Sequence, residues 1–436
     1  MIPTPRLLFL LLLGAVVVAG ASFAPPLTWL AVVYFVVLLG LVIADYAIST
    51  RPEQITVERI TEPKLSLGVP NLIMVQLANA SPRVVRFKLR DEYPYQLRAD
   101  HDILDGRIPP LASTETRYHV TPVQRGDYQW GDINLRYRST LGIFVRQAHY
   151  AASAGVRVYP NVLDIRKYDL LARKGLLTEL GLRNAKVFGS GTEFERLRDY
   201  TPDDEFKRIN WKATARRNKL TAIEHETERS QHVICVLDTG RLMRPPIGDI
   251  QKLDYAVNAA LMTGYVAALR GDQIGMLTFA DEVGVYLAPR KGRSQFYTML
   301  ELLYNVQSEP VESDYGRALG YLSIKNKRRS LIIVFSDLVT LDAAQPLIAY
   351  MARLAQRHLP LLVIMNDPGI TRIAAQQPAS SQAVYERAVA EQLLDERRMI
   401  LDTLNRAGVL TLDVPADKLS VAVINKYLEL KTRGVL

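Results

Sequence analysis

From Leu7 to Ala24, and again from Leu27 to Ala44, the chain carries no charged residue, and Pro25-Pro26 separates the two stretches. Each is about 18 residues long, close to the length a helix needs to cross the hydrocarbon core of a bilayer. Proline cannot donate a helical hydrogen bond and disfavours helix in the residue before it, so the pair reads as a tight turn between two helices. Arg6 precedes the first stretch, while Arg51, Arg59 and Lys64 follow the second. The positive-inside bias then puts both ends in the cytoplasm. A second reading stays open: Ala19-Gly20-Ala21 follows a short apolar core with one upstream arginine, the pattern of a signal-peptidase site. In that case Leu27 to Ala44 would remain as the anchor.

At 436 residues the chain exceeds one ordinary domain. A single cysteine, Cys235, excludes an internal disulfide and any multi-cysteine metal site. The formal net charge of +9 suits a protein held against an anionic inner leaflet, although basic loops beside a membrane need bind nothing.

Four regions are expected: two transmembrane helices (7–24 and 27–44) within residues 1–50, a β-sandwich over 51–160, a connector over 161–231 and an α/β domain over 232–436. In the second region Leu72 to Leu77, Val84 to Leu89 and Ile133 to Tyr137 are strand-like, with turn signals such as Asn79-Ala80-Ser81-Pro82 and Arg125-Gly126-Asp127 between them. That pattern fits a small antiparallel sandwich. A helix over Val162 to Leu182 leads to the glycine-rich Val187 to Thr192, read as a flexible turn because a phosphate loop needs a strand before it and a helix after. From His232 onward, continuous apolar strands (His232 to Leu237, Ile274 to Phe279, Leu331 to Phe335, Leu361 to Met365) alternate with helices (Ile250 to Leu269, Ser294 to Leu303, Ala343 to Ala355, Leu419 to Leu430). Such alternation implies a doubly wound, mainly parallel sheet covered on both faces.

Two strand tips of that domain carry a carboxylate, Asp238 and Asp337, and Asp367 follows a third. Aspartates there could share a hard cation. The arrangement resembles the von Willebrand factor A domain, whose metal site combines an Asp-x-Ser-x-Ser run, a threonine and a further aspartate. Asp238 and Asp337 match, but Gly240 and Leu242 replace the serines, and the threonine's place falls near Ser313 and Asp314. No metal is therefore expected, with Asp238, Ser313 and Asp337 as degenerate candidates and capping of loops and helix starts as their alternative role. No nucleophile elbow, His-Glu-x-x-His pair or Walker lysine loop occurs, so neither an enzyme nor a cofactor is expected.

The densest mixture of charges and aromatics is Phe194 to Arg217, FERLRDYTPDDEFKRINWKATARR. Arg196, Arg198 and Tyr200 alternate along an extended arm. Thr201-Pro202-Asp203-Asp204 reads as a helix start, with Thr201 as N-cap and proline in the first turn. Asp204, Arg208 and Lys212 then share one helix face, Phe206, Ile209 and Ala213 an apolar one, and Trp211 stands beside the basic row. Arg216 and Arg217 continue that row. These eight residues, Arg196, Arg198, Tyr200, Arg208, Trp211, Lys212, Arg216 and Arg217, are the candidate partner-binding surface, unless they pair internally with their own domain.

The run Gly191 to Tyr200, followed by Arg208-Ile209-Asn210-Trp211-Lys212 and Ala215-Arg216, resembles the signature of the domain of unknown function 58 family. It departs at Asp203, where that family has glycine before its aspartate. The likeness covers the anchoring helices, the β module, the signature and the A-type domain with its degraded metal motif. It implies a bacterial inner-membrane, multi-pass protein with its folded domains in the cytoplasm, acting as a non-enzymatic adaptor for a MoxR-type AAA+ ATPase. Two alternatives remain: an electrostatic binder of anionic lipid or nucleic acid through the basic row, and a metal-dependent ligand-binding A-type domain.

Overall fold

The computed structural model describes residues 1–21, 27–161, 194–200, 206, 209, 211–217, 219–225, 230–338, 341–378 and 380–434. It divides into two compact units, Met1–Asn161 and Val162–Leu436. The expected helix over Val162 to Leu182, the turn at Val187 to Thr192 and the helix start at Thr201 to Asp204 lie outside the described residues.

The first unit opens with helices Pro5–Ala21 and Leu27–Ile48. The second is long and apolar enough to cross a membrane, and the first is described over 17 residues. The second helix also runs on past Ala44, so that Asp45 falls inside it. The pair packs closely at Gly14, where an added Cβ would lie 2.9 Å from ring carbons of both Tyr34 and Phe35. Tyr34 Oη also donates to the Leu10 carbonyl at 2.6 Å.

The β-rich remainder forms three sheets. A five-stranded antiparallel sheet runs in the spatial order Ile2–Pro3, Phe144–Tyr150, Ile133–Arg138, Val85–Asp91, Leu104–Ile108. A four-stranded antiparallel sheet runs Ile55–Ile60, Asn71–Asn79, Ala112–Pro122, Leu97–Ala99. The third is not wholly antiparallel as expected, because Ala154–Tyr159 pairs parallel with Lys64–Ser66 and antiparallel with Gly126–Trp130. Strict alternation along Val85–Asp91 buries Val85, Phe87 and Leu89 and exposes Arg86, Lys88 and Arg90. All three sheets meet at Arg59. Its guanidinium pairs with both carboxylate oxygens of Asp91, stacks 4.8 Å over the Trp130 ring and donates to the Ala152 and Gly131 carbonyls, while Tyr118 Oη donates to Asp91 at 2.6 Å.

The helices are joined to this β module through the Ser139 to Phe144 turn. Asp45, fully buried in the last turns of the second helix, accepts from Ser139 Oγ at 2.5 Å, the Leu141 N–H at 2.8 Å, the Ile143 N–H at 3.3 Å and Ser49 Oγ at 3.2 Å. Thr4 donates to the carbonyls of Gly142 and Ile143, and Ile143 buries its side chain against Leu7 and Leu38. A carboxylate among apolar helix residues is tolerable only because backbone and hydroxyl donors satisfy it.

In the second unit, strand Phe194–Asp199 pairs antiparallel with Thr221–His225, and helix Trp211–Arg217 lies between them in sequence. A six-stranded sheet follows in the spatial order Val283–Arg290, Gln273–Phe279, His232–Asp238, Leu331–Phe335, Leu359–Asn366, Leu410–Pro415. All its pairs are parallel except the antiparallel edge Val283–Arg290. Val233, Cys235 and Leu237 are buried towards one face, where Cys235 Sγ reaches the Ala260 carbonyl of helix Lys252–Leu269. Ile234 and Val236 join the core of the other face with helices Tyr315–Lys325, Leu341–Ala355 and Ser381–Arg406.

Candidate functional site

In open α/β sheets, ligands bind beyond the carboxyl ends of the strands where the strand order reverses. Here the chain first builds outward from His232–Asp238 to Gln273–Phe279, then returns to Leu331–Phe335 on the other side. The reversal lies between the two strands that end in Asp238 and in Ser336-Asp337.

Asp238 is fully buried and fully engaged. Its Oδ1 accepts from the Gly240 N–H at 2.8 Å and from Ser313 Oγ, and its Oδ2 accepts from Ser336 Oγ at 2.6 Å and Tyr315 Oη at 3.3 Å. Burial pushes its carboxyl above the ordinary aspartate range, against the pull of these donors. Tyr315 is raised in turn, by burial first and by the charge of Asp238 second. Gly240 is required by this packing, since an added Cβ would sit 2.1 Å from Ser313 Oγ.

Asp337 faces two cations. Lys252 Nζ lies 2.5 Å from its Oδ2 and an Arg397 guanidinium nitrogen 3.6 Å from its Oδ1, and its own side chain accepts from the Leu338 N–H at 2.9 Å. Arg397 is held in place by a bidentate pair with Asp413 and by the Met365 carbonyl. A divalent cation does not fit this constellation. Both oxygens of Asp238 are occupied by donors, and a lysine and an arginine already neutralise Asp337. Asp367, the third strand tip, caps helix Pro368–Ala375 through the Gly369 N–H.

The structure thus brings together Asp238 and Ser313, and places Asp337 at the next strand tip. Lys252, Tyr315, Ser336 and Arg397 were not singled out from sequence. Ser336 alone carried a signal, as the neighbour of Asp337 at a strand end. A separate concavity of about 600 Å³ lies beyond Thr239, lined in part by Asp281, Glu282, Asn305 and Glu309.

The second candidate surface lies around helix Trp211–Arg217. Trp211 and Phe206 meet edge to face at 5.6 Å and are 57% and 69% exposed, so Phe206 does not pack inward as the apolar stripe suggested. Ile209 does, at 7% exposure. Lys212 and Arg216 are exposed, and the Tyr200 N–H donates to the Leu220 carbonyl at 2.9 Å. Thr214 Oγ1 accepts from the Thr221 N–H at 3.1 Å, which ties the helix to the following strand. Arg196 and Arg198 lie on strand Phe194–Asp199, opposite Glu224 and Ala222. Their side chains, that of Arg217 and the whole of Arg208 are outside the described residues.

Residues 196–380 match the family model described as "Protein of unknown function DUF58". That span contains the Trp211 helix, Asp238, Lys252, Ser313 and Asp337, and ends before Arg397. Among curated proteins, "Uncharacterized protein Rv1480" of Mycobacterium tuberculosis is 25% identical over 264 residues, 57% of this chain and 82% of its own length. "Uncharacterized protein YeaD" of Bacillus subtilis is 24% identical over 128 residues, 28% of this chain and 30% of its own. Among solved structures, conserved hypothetical protein BatB from Bacteroides thetaiotaomicron aligns over 47% of this chain and 99% of its own, at 14% identity and a TM-score of 0.33, too distant to carry an argument.

Proposed function

We propose that this chain is a non-enzymatic, membrane-anchored adaptor. Its helices span the bacterial inner membrane as a hairpin with both ends in the cytoplasm. Its α/β domain has a von Willebrand factor A-like topology and engages a cytoplasmic partner. The partner implied by the family resemblance is a MoxR-type AAA+ ATPase. The observation that carries this reading is the exposed Phe206–Trp211 pair beside Lys212 and Arg216. Large aromatics left in solvent next to cations are the residue types that dominate protein interfaces. At the strand ends, by contrast, the carboxylates of Asp238 and Asp337 are engaged in internal pairing.

Capture of a purified MoxR-type ATPase by the detergent-solubilised chain tests the reading. Trp211→Ala combined with Lys212→Glu and Arg216→Glu is expected to reduce capture by at least tenfold. Equal capture by the variant would remove this surface from the interface, and no capture by the wild type would remove the partner. Orientation is tested separately with a membrane-impermeant maleimide on Ala24→Cys. Labelling from outside the cell is expected because the proposed hairpin puts residue 24 outside the cytoplasm, and the buried Cys235 contributes little background.

A further inference from the structure

The outer face of the five-stranded sheet carries a concentration of cations that neither the fold nor the connector accounts for. Arg86 and Arg107 are direct partners across strands Val85–Asp91 and Leu104–Ile108, and Lys88 and Arg136 are direct partners across the next pair. Arg138 follows Tyr137, whose partner is Phe87, and so falls in the row of Arg86. These five cations and one carboxylate, Asp105, line a concavity of about 500 Å³. Like charges set directly opposite one another destabilise a sheet. Lys88 is offset by Asp105, its direct partner on the other side, and Arg136 Nε donates to Gln147 at 3.1 Å, so the excess falls on the row of Arg86, Arg107 and Arg138, which creates a field that attracts an anion.

The position of the face indicates which anion. Ile2 and Val145 line the same concavity, and Ile2 lies three residues before the first helix begins at Pro5. Arg138 immediately precedes Ser139, the residue that donates to Asp45 in the last turns of the second helix. At about 3.4 Å per residue, the row of Arg86, Arg107 and Arg138 lies roughly 3 Å along the strands from that junction, and Lys88 and Arg136 lie roughly 10 Å from it. Ile143, at the far side of the same turn, packs on Leu38, which is about 10 Å further into the helix. When the second helix spans a bilayer, its end at Asp45 reaches the headgroup layer, and all five cations fall within about one Debye length of the phosphates.

We propose that this face binds the headgroups of anionic phospholipids, so that the β module rests on the membrane surface instead of projecting from it. The proposal rests on the anchored reading above, but uses residues remote from the partner-binding connector.

The test has two stages on the full chain. Reconstituted vesicles are first extracted with alkaline carbonate, and the chain is expected to remain with the lipid. Release would overturn the anchor and, with it, the placement of this face. The chain in neutral detergent is then titrated with dioctanoyl phosphatidylglycerol, dioctanoyl phosphatidylcholine, inorganic phosphate and a single-stranded oligonucleotide, with bound species counted by native mass spectrometry. Phosphatidylglycerol is expected to bind at least tenfold more tightly than the other three. Each surface cation contributes about fivefold, so Arg86→Gln/Arg107→Gln/Arg138→Gln is expected to lose roughly 100-fold. Arg117→Gln, on the four-stranded sheet, serves as the charge control and should lose little. The triple variant should unfold at the same temperature as the wild type or higher, since it removes repulsion. A carbonate-resistant chain without phosphatidylglycerol preference, or an unaffected triple variant, would overturn the proposal. Equal binding of phosphate or of the oligonucleotide would replace it with a site for soluble anions or for nucleic acid.

Discussion

Lys252 Nζ lies 2.5 Å from Asp337 Oδ2, and the two side chains are 16% and 6% exposed. An ion pair so placed contributes less through its attraction than through the harm done when one partner is removed.

Lys252→Met leaves the Asp337 carboxylate with the more distant Arg397 as its one described cation, beside the Leu338 N–H, and is expected to destabilise the α/β domain by about 2–4 kcal/mol. The single thiol provides the measurement. Cys235 is fully buried in the central strand, and burial pushes it up to about 12, so it reacts only when the domain opens. Labelling of the full chain by a thiol reagent should accelerate by roughly 30- to 1000-fold in the variant, when opening and closing are fast relative to labelling.

Gly240→Ala is expected to displace Ser313 from Asp238. The loss of one hydrogen bond to a buried carboxylate, with some overpacking, should amount to about 2–3 kcal/mol in the same labelling assay. Ser313→Ala in the Gly240→Ala background should recover part of it, because the clashing oxygen is gone.

Asp238 gives a pH dependence with a definite sign. Its folded carboxyl is raised above the unfolded value, so the unfolded chain ionises first and stability falls as pH rises. The loss begins near the ordinary aspartate value of about 4 and continues until the folded carboxyl has itself ionised. Asp238→Asn is expected to be less stable than wild type at low pH and to close that gap as pH increases. A difference independent of pH would show that the carboxyl is not raised.

In the β module, Arg59→Met strands the Asp91 carboxylate, which is 3% exposed, and should cost about 3–5 kcal/mol. Tyr118→Phe removes one donor from the same group and should cost about 1–3 kcal/mol. Hydrogen exchange in strand Ala112–Pro122 reads both, with the larger increase expected for Arg59→Met.

The sequence was most legible where hydrophobic periodicity was strong. The strand Leu331 to Phe335 matches its expected bounds, and the helices Lys252–Leu269 and Leu419–Thr432 lie within two residues of theirs. The edge strand Val283–Arg290 was missed because its half-exposed alternation is weak, and helix Ser381–Arg406 because its surface is mostly charged. That second omission hid Arg397, and with it half of the neutralisation of Asp337. Lys252 was invisible for another reason: a lysine at a helix start reads as solvated until a carboxylate from a strand about 85 residues away is brought beside it. In the connector, Ile209 was correctly assigned to the interior, whereas Phe206 was not, since helical spacing cannot distinguish a core face from an exposed aromatic surface.

The Asp45 carboxylate also sets an order of events during synthesis. Ser139, its donor at 2.5 Å, comes 94 residues later in the chain. At about 5–20 residues per second, the second helix exists for roughly 5–20 s before that donor is made. During that interval the helix end must keep its carboxylate in contact with water. If the helix is the membrane anchor proposed above, completion of the Ser139 to Phe144 turn is the step that lets it settle to its final depth, and a nascent chain stalled before Ser139 should hold the helix shallower than the finished protein does.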